Sequence, residues 1–210
     1  MPSSAPPGLR FVLASASPAR LATLRAAGLD PEVVVSGVDE SGVRAESVAE
    51  LTAVLAQLKA DAVAATLDLG GQDTLVVGCD SMLELDGEAY GKPGAPERAV
   101  ERWRRMRGRS GILHTGHHVL RLTGADRTVA AAVGSTDVHF ADLTEEEIDA
   151  YVATGEPLQV AGAFTVDGLG GPFVTRIEGD HHNVVGISLP LLRLLLLDVG
   201  VSWPSLWATP

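Results

Sequence analysis

The chain has a single cysteine, Cys79, in 210 residues. No intrachain disulfide can form, which fits a reducing compartment and makes a cytoplasmic location the expectation. Basic residues are in deficit. Sixteen Lys and Arg stand against 27 Asp and Glu, for a formal net charge of −11. That balance excludes general nucleic-acid binding, which needs a basic surface. Long hydrophobic runs are missing too. The most apolar stretch, Leu189 to Leu197, is interrupted by Arg193 and is too short to span a bilayer, so no membrane partner is expected. Residues 1–8, with prolines at 2, 6 and 7, lack the basic start and apolar core of a secretory signal and read as a disordered leader. There is no nucleophile-elbow serine, no glycine-rich Walker loop and no internal repeat.

What is present is one core's worth of apolar sequence, at 46% hydrophobic, enough for one domain with two lobes. Its most telling stretch is Phe11 to Arg20. Phe11–Ala14 reads as a buried strand, Ser17 as an N-cap and Pro18 as a first helical residue. Ser15, Ser17, free backbone N–H groups and Arg20 converge at this helix start, where an anion such as a phosphate chain can be held. Further on, Val33–Val35 predicts a strand, Val48–Ala65 a helix, and Thr74–Cys79 a buried strand ending at Asp80-Ser81. Asp86-Gly87 predicts a hairpin turn. Pro96–Arg107 predicts an arginine-rich helix. Strands follow between Ser110 and Val138, and a capping box at Thr144 and Glu147 opens another helix. Glycine-rich sequence from Leu158 to Val185 reads as hairpins or a packed edge, and Leu189–Leu197 as the last helix. This alternation predicts an α/β fold with a mixed sheet.

Several residues can carry chemistry. Asp80, after an apolar strand, sits where open α/β sheets bind ligands, and can bind metal or act as a general base toward water. Asp39-Glu40 also follows a strand, and Glu40 can complete a Mg²⁺ shell with Asp80. Lys92, in the rigid Gly91-Lys92-Pro93 loop, can meet phosphate oxygens. Lys59, in a helix of alanine and leucine, either snorkels or points at the same ligand. The run of arginines Arg98, Arg102, Arg104, Arg105, Arg107 and Arg109 surrounds its helix and reads as a solvated surface with acid partners. The pairs His117-His118 and His181-His182 have no zinc-like partners nearby, and Cys79 reads as a small core residue.

Taken in order, these elements resemble the Maf family of nucleoside triphosphate pyrophosphatases. The resemblance runs from Leu13 to Leu196. It is carried by Leu13-Ala14-Ser15-Ala16-Ser17-Pro18 with Arg20, Val38-Asp39-Glu40, Lys59-Ala60, Gly78-Cys79-Asp80-Ser81 and Gly91-Lys92-Pro93. Toward the C-terminus it is carried by Gly155-Glu156-Pro157, Ala161-Gly162-Ala163-Phe164 and Asn183-Val184-Val185-Gly186. It implies an elongated mixed sheet flanked by helices, of the inosine-triphosphatase-like kind. One catalytic domain would span residues 9–200, with two lobes around a central cleft and a tail at 201–210.

The activity implied is cleavage of a nucleoside triphosphate to the monophosphate and pyrophosphate, with a divalent metal required; from the residues themselves, Glu40 and Asp80 are expected to hold it as Mg²⁺ or Mn²⁺. Asp80 matches the proton acceptor. Ser15, Arg20, Glu40, Lys59 and Lys92 match the triphosphate site, and the Ser17 helix N-terminus is expected to join them in binding the substrate. A homodimer is implied as well. One branch, active on thymidine and uridine triphosphates, has arginine where Ala19 stands, threonine at Ser81 and glutamine at Asp167. A second branch, active on 7-methyl-guanosine triphosphate, has tryptophan, glutamine and glutamate there. This chain matches neither set, so the expectation is house-cleaning of non-canonical nucleotides with the base left open. The alternatives are a nucleotide-binding regulator of cell division and septum formation, and a sugar-nucleotide transferase.

Overall fold

A computed structural model describes residues 8–207. The expected leader, Gly8 apart, and residues 208–210 lie outside the described residues. Among the described residues seven strands form one mixed sheet. β1 (Leu9–Leu13), β2 (Glu32–Val33), β3 (Asp73–Leu85), β5 (Ser110–Thr123), β6 (Asp126–Phe140) and β7 (Val174–Glu178) lie in the order β2-β1-β3-β5-β6-β7. β4 (Glu88–Tyr90) pairs with the far end of β3. β1 is parallel to β2 and β3, and the other pairs are antiparallel. Six helices flank the sheet: α1 (Pro18–Ala26), α2 (Val48–Thr66), α3 (Pro96–Met106), α4 (Glu145–Ala153), α5 (His181–Val185) and α6 (Leu189–Asp198). The α/β mixed-sheet expectation therefore holds.

Local chemistry explains most of the element starts. Ser17, Thr144 and Ser188 each accept a backbone N–H at a helix N-terminus, and the Thr144/Glu147 capping box is complete. Asp86 and Gly87 both adopt positive φ, at 55° and 76°, as the tight turn between β3 and β4 requires. Four of the arginines on and after α3 find acids: Arg104 and Arg107 meet Glu145, Arg105 meets Glu88, and Arg109 meets Asp86.

Three expectations change. The strand expected to end before Asp80 runs on as β3 to Leu85, because β5 pairs with it without a break from Thr74↔Leu122 to Glu84↔Ile112. The Val33–Val35 strand shortens to a two-residue edge. Val34 still donates its N–H to the Leu13 carbonyl at 3.1 Å, and the chain then leaves the sheet. Residues 181–185 form a helix rather than a hairpin, because Asp180 caps the His182 N–H at 3.0 Å and Gly186 ends the turn.

The architecture leaves a gap beside the middle of β3. The β1 register with β3 ends at Leu13↔Val77, and β4 begins at Leu83↔Tyr90. Between them, Gly78 to Met82 have a strand neighbour only on the β5 side. The gap also divides the core. Leu75, Val77 and Cys79 pack with Leu13, Leu24, Ile187 and Leu196. Leu83 and Leu85 pack with Trp103, Met106, Phe140 and Tyr151. Cys79 is wholly buried, and burial pushes its thiol up to about 11, so it is core rather than chemistry.

On the opposite face, Val12, Val76 and Leu120 meet Ala60 and Val63 of α2. The helix lies against the sheet at two glycines. A Cβ on Gly78 would strike the backbone at Ala56 and Ala60, and one on Gly116 the backbone at Thr52 and Ala53. At the C-terminal end, Val201 and Leu206 pack into the core, and Trp207 Nε1 donates to the Ala27 carbonyl at 3.1 Å.

Candidate active site

Side chains alternate between faces along a strand. Asp80 therefore projects on the α2 face of β3, as Gly78 does, while Ser81 projects on the other face. Both stand on the stretch of β3 that has a strand neighbour only on the β5 side.

On the α2 face, Asp80 is 7% exposed. Lys59 Nζ donates to its Oδ1 at 2.5 Å and also pairs with Glu40 Oε1 at 2.8 Å. The close seating of α2 on Gly78 is what brings Lys59 to this carboxylate. Asp80 Oδ2 is buried and has no hydrogen-bond partner. Burial pushes the Asp80 carboxyl above its ordinary value, against the pull of Lys59 and Arg20, while Glu40 adds to the rise. The geometry thus holds a costly, incompletely bonded carboxylate at the open edge of the sheet.

On the other face stands Arg20, 8% exposed. Its Nε donates to the Gly186 carbonyl at 2.7 Å, Nη1 to Ser15 Oγ at 3.0 Å and Nη2 to Ser81 Oγ at 3.0 Å. Every one of these acceptors is neutral. Among the described residues, Arg20 makes no ion pair. A buried guanidinium fixed by neutral groups keeps its charge uncompensated by them, and together with the α1 N-terminus it is chemistry able to hold an anion. Ser15 Oγ also accepts the Ser17 N–H at 3.2 Å, and Ser17 Oγ accepts the Arg20 N–H at 3.4 Å.

The structure thus draws Ser15, Ser17, Arg20 and Ser81 into one network, and Lys59, Glu40 and Asp80 into another. Ala19 is half-buried in the first turn of α1. Lys92 is exposed, two residues beyond Tyr90, whose partner Leu83 marks the far end of the open edge. Asp167 is exposed on the loop after Phe164. Neither Lys92 nor Asp167 makes an ion pair among the described residues.

Sequence reasoning missed the groups behind this front. Ser81 Oγ and Thr115 Oγ1 lie 2.9 Å apart, and Thr115 Oγ1 also lies 3.0 Å from the Asn183 carbonyl. Asn183 Nδ2 in turn donates to the carbonyls of Leu113 and Gly134 and to Thr136 Oγ1. Thr115 faces Ser81 only through the β3–β5 register, which no local pattern announces. His117, beside it, is a core residue. Its Nε2 accepts the Ser188 N–H at 2.8 Å, so its own proton sits on Nδ1 and points to the Thr115 carbonyl at 2.9 Å.

Residues 10–199 match a family model described as "Maf-like protein". The chain belongs to the Maf-like protein family. Three bacterial relatives are each named nucleoside triphosphate pyrophosphatase. That of Salinispora tropica is 59% identical over 95% of this Maf-like chain and 88% of its own length. That of Cutibacterium acnes is 55% identical over 95% of each chain, and that of Streptomyces coelicolor 57% identical over 96% of each. The solved Ham1 protein of Staphylococcus aureus overlaps the Maf-like chain only in part. It covers 63% of this chain and 72% of its own, at 18% identity and a TM-score of 0.40. No helix of the described residues is long and apolar enough to cross a membrane.

Proposed function

We propose that this chain is a nucleoside triphosphate pyrophosphatase that hydrolyses its substrate between the α and β phosphates, giving the monophosphate and pyrophosphate. The observation that carries this reading is Asp80, a buried carboxylate with one oxygen unpartnered, set at an open strand edge beside a guanidinium that no acid neutralises. Its relatives' names point the same way.

In this reading Asp80 orients water and takes its proton as the oxygen attacks the α phosphorus. Lys59 holds Asp80 in place through Oδ1 and leaves Oδ2 for the water or for a cation. Arg20, Ser15, the α1 N-terminus and Lys92 bind the phosphate chain and offset the charge that develops on departing pyrophosphate. The donor set also fits a divalent cation. Among the described residues no group of three or more His, Cys, Asp or Glu is gathered to cage a metal. Asp80 and Glu40 alone suit Mg²⁺ or Mn²⁺, which take one or two carboxylates and fill the remaining positions with phosphate oxygens and water. When bound there, such a cation supplies Lewis-acid charge to the phosphates. Ala19, Ser81 and Asp167 are the residues that choose the base, and non-canonical nucleotides are the substrates in view. The same reading has the enzyme working in the cytoplasm, as a homodimer.

A regulator that only binds nucleotide would have no use for a carboxylate kept buried against its own desolvation. Pyrophosphate release with Mg²⁺ or Mn²⁺ across a panel of unmodified, methylated and deaminated triphosphates tests the reading. Asp80→Asn is expected to lower kcat by at least about 10²–10⁴-fold, the usual worth of a general base, with nucleotide still bound. Turnover by Asp80→Asn near the wild-type rate would remove Asp80 from the chemistry.

A further inference from the structure

One half-buried carboxylate outside the two networks gathers four protein donors. Glu156 opens the short 3-10 turn after α4 and makes no ion pair among the described residues. Instead its Oε1 accepts from Tyr151 Oη at 3.0 Å, Thr165 Oγ1 at 2.5 Å and the Gly170 N–H at 3.0 Å, and its Oε2 accepts the Leu169 N–H at 3.0 Å. Burial opposes its ionisation, but these donors outweigh that and hold the carboxyl below its ordinary value. Three of the four belong to the stretch Thr165–Gly170. That loop is wound round the carboxylate so closely that a Cβ on Gly168 would lie 2.5 Å from Glu156 Oε2. Asp167, Gly168 and Leu169 are then left facing solvent.

The loop's root is fixed as firmly. Tyr151 Oη accepts the Thr165 N–H at 3.2 Å, and Trp103 Nε1 donates to the Ala163 carbonyl at 2.8 Å. Gly162 packs so tightly on Leu83 that its Cβ would lie 2.9 Å from Leu83 Cβ. Leu83 is the next residue after Ser81 on the same sheet face. The Gly162 N–H also reaches the Gly91 carbonyl at 3.3 Å, in the loop that carries Lys92. The Thr165–Gly170 loop therefore leaves from beside the uncovered stretch of β3, on the sheet face that carries Ser81.

We propose that Glu156 is a positioning residue for base selection. It holds the Thr165–Gly170 loop in the one backbone course that presents the Asp167 carboxylate to the base, where it accepts an amino or imino N–H. This rests on the nucleoside triphosphate reading above. A glutamine at 156 keeps the size but turns one acceptor into a donor that meets another N–H, so the loop loses its course while the phosphate-binding residues keep theirs.

The test compares wild type, Glu156→Gln, Asp167→Ala and the double variant on a panel of triphosphates, reading kcat and KM separately together with Tm. Wild type is expected to prefer nucleotides whose amino or imino N–H is free over their N-methylated counterparts. In Glu156→Gln the preference, as a ratio of kcat/KM values, is expected to fall about tenfold, the worth of one to two lost hydrogen bonds. The loss should lie in KM of the preferred nucleotide. The double variant should lose no more selectivity than Asp167→Ala alone, because both changes remove one function. Thr165→Val, which deletes one donor and keeps the carboxylate, should shift the ratio the same way by less. An unchanged preference in Glu156→Gln, a uniform fall in kcat that follows Tm, or additive losses in the double variant would each overturn the inference while leaving the pyrophosphatase reading intact. Absence of pyrophosphate release by wild type on every nucleotide would remove both.

Discussion

Replacing Gly116 by alanine is expected to unseat α2 from the sheet. A Cβ at Gly116 would lie 2.7 Å from the Ala53 nitrogen and nearer still to the Thr52 carbonyl. Ordinary contact begins near 3.5 Å, so the helix would have to retreat by about 1 Å. Both obstacles are helix backbone, and no change of rotamer relieves them. Overpacking of this kind costs about 1–3 kcal/mol. At roughly 2–4 °C per kcal/mol for a domain of this length, Tm should fall by about 2–12 °C. Activity should fall as well, because Lys59 rides on the same helix about two turns beyond Thr52 and holds Asp80 through a single 2.5 Å contact. Misplacing a catalytic group by about 1 Å costs up to about 10²-fold. Gly42→Ala is the control. Its Cβ would meet open space and its φ is not left-handed, so its unfolding free energy should stay within about 0.5 kcal/mol of wild type. Calorimetry and pyrophosphate release on both variants decide the matter. A Gly116→Ala protein as stable and as active as Gly42→Ala would refute the argument that the helix is seated on that glycine.

Other expectations follow from single contacts. Arg20→Lys keeps the charge but cannot reach Gly186, Ser15 and Ser81 together, so calorimetric titration with a non-hydrolysable nucleotide should show at least about tenfold weaker binding, one lost charge-assisted bond being worth about 1.5–3 kcal/mol; unchanged affinity would free Arg20 from the anion site. Lys92→Ala should leave the unfolding free energy within about 0.5 kcal/mol of wild type, since the side chain is exposed and unpaired among the described residues, yet lower kcat/KM; full activity would take Lys92 out of the site. Burial lowers His117 from 6.5 to about 4, so the unfolded chain binds the extra proton between those values. Its contribution is complete above pH 6.5 and lost as pH falls toward 4, about 3 kcal/mol in all at 1.36 kcal/mol per pH unit. Denaturant unfolding of His117→Gln should show a flatter loss of stability across that window, and a slope equal to wild type would show that His117 is not buried neutral.

Most helix starts were legible because their chemistry is local. Ser17-Pro18, Ser188 with Pro190, and Thr144 with Glu147 each satisfy nearby backbone groups, and the structure uses all three. Asp86-Gly87 was legible for the same reason, since its positive φ values are needed within the turn itself. The run of β3 through Asp80-Ser81 was not legible. Two polar residues after an apolar stretch look like a strand end when nothing local can bond them. What bonds them lies elsewhere in the chain: Lys59 is 21 residues back, and Arg20 and Thr115 are 61 and 34 residues from Ser81. Likewise the helix at His181–Val185 depends on a cap at Asp180 that glycine-rich surroundings disguise.

That misreading bears on how the site exists at all. A polar pair in the middle of a long strand is an expense for folding unless partners arrive on both faces. Here α2 delivers Lys59 to one face because Gly78 lets the helix come close, and α1 delivers Arg20 to the other because Gly186 and Ser15 hold its guanidinium in place. The β1 ladder stops before the pair and β4 starts after it, so neither neighbour covers the edge where the two faces meet. Had Asp80 stood at a strand end, as its sequence suggests, one loop could have moved it without cost to the core. Set in mid-strand, it is fixed by the register of β5, and its freedom is confined to the protonation and bonding of one oxygen, Oδ2. Rigid placement of this kind suits the general-base role proposed for Asp80, since misplacement by as little as about 1 Å carries a large rate penalty.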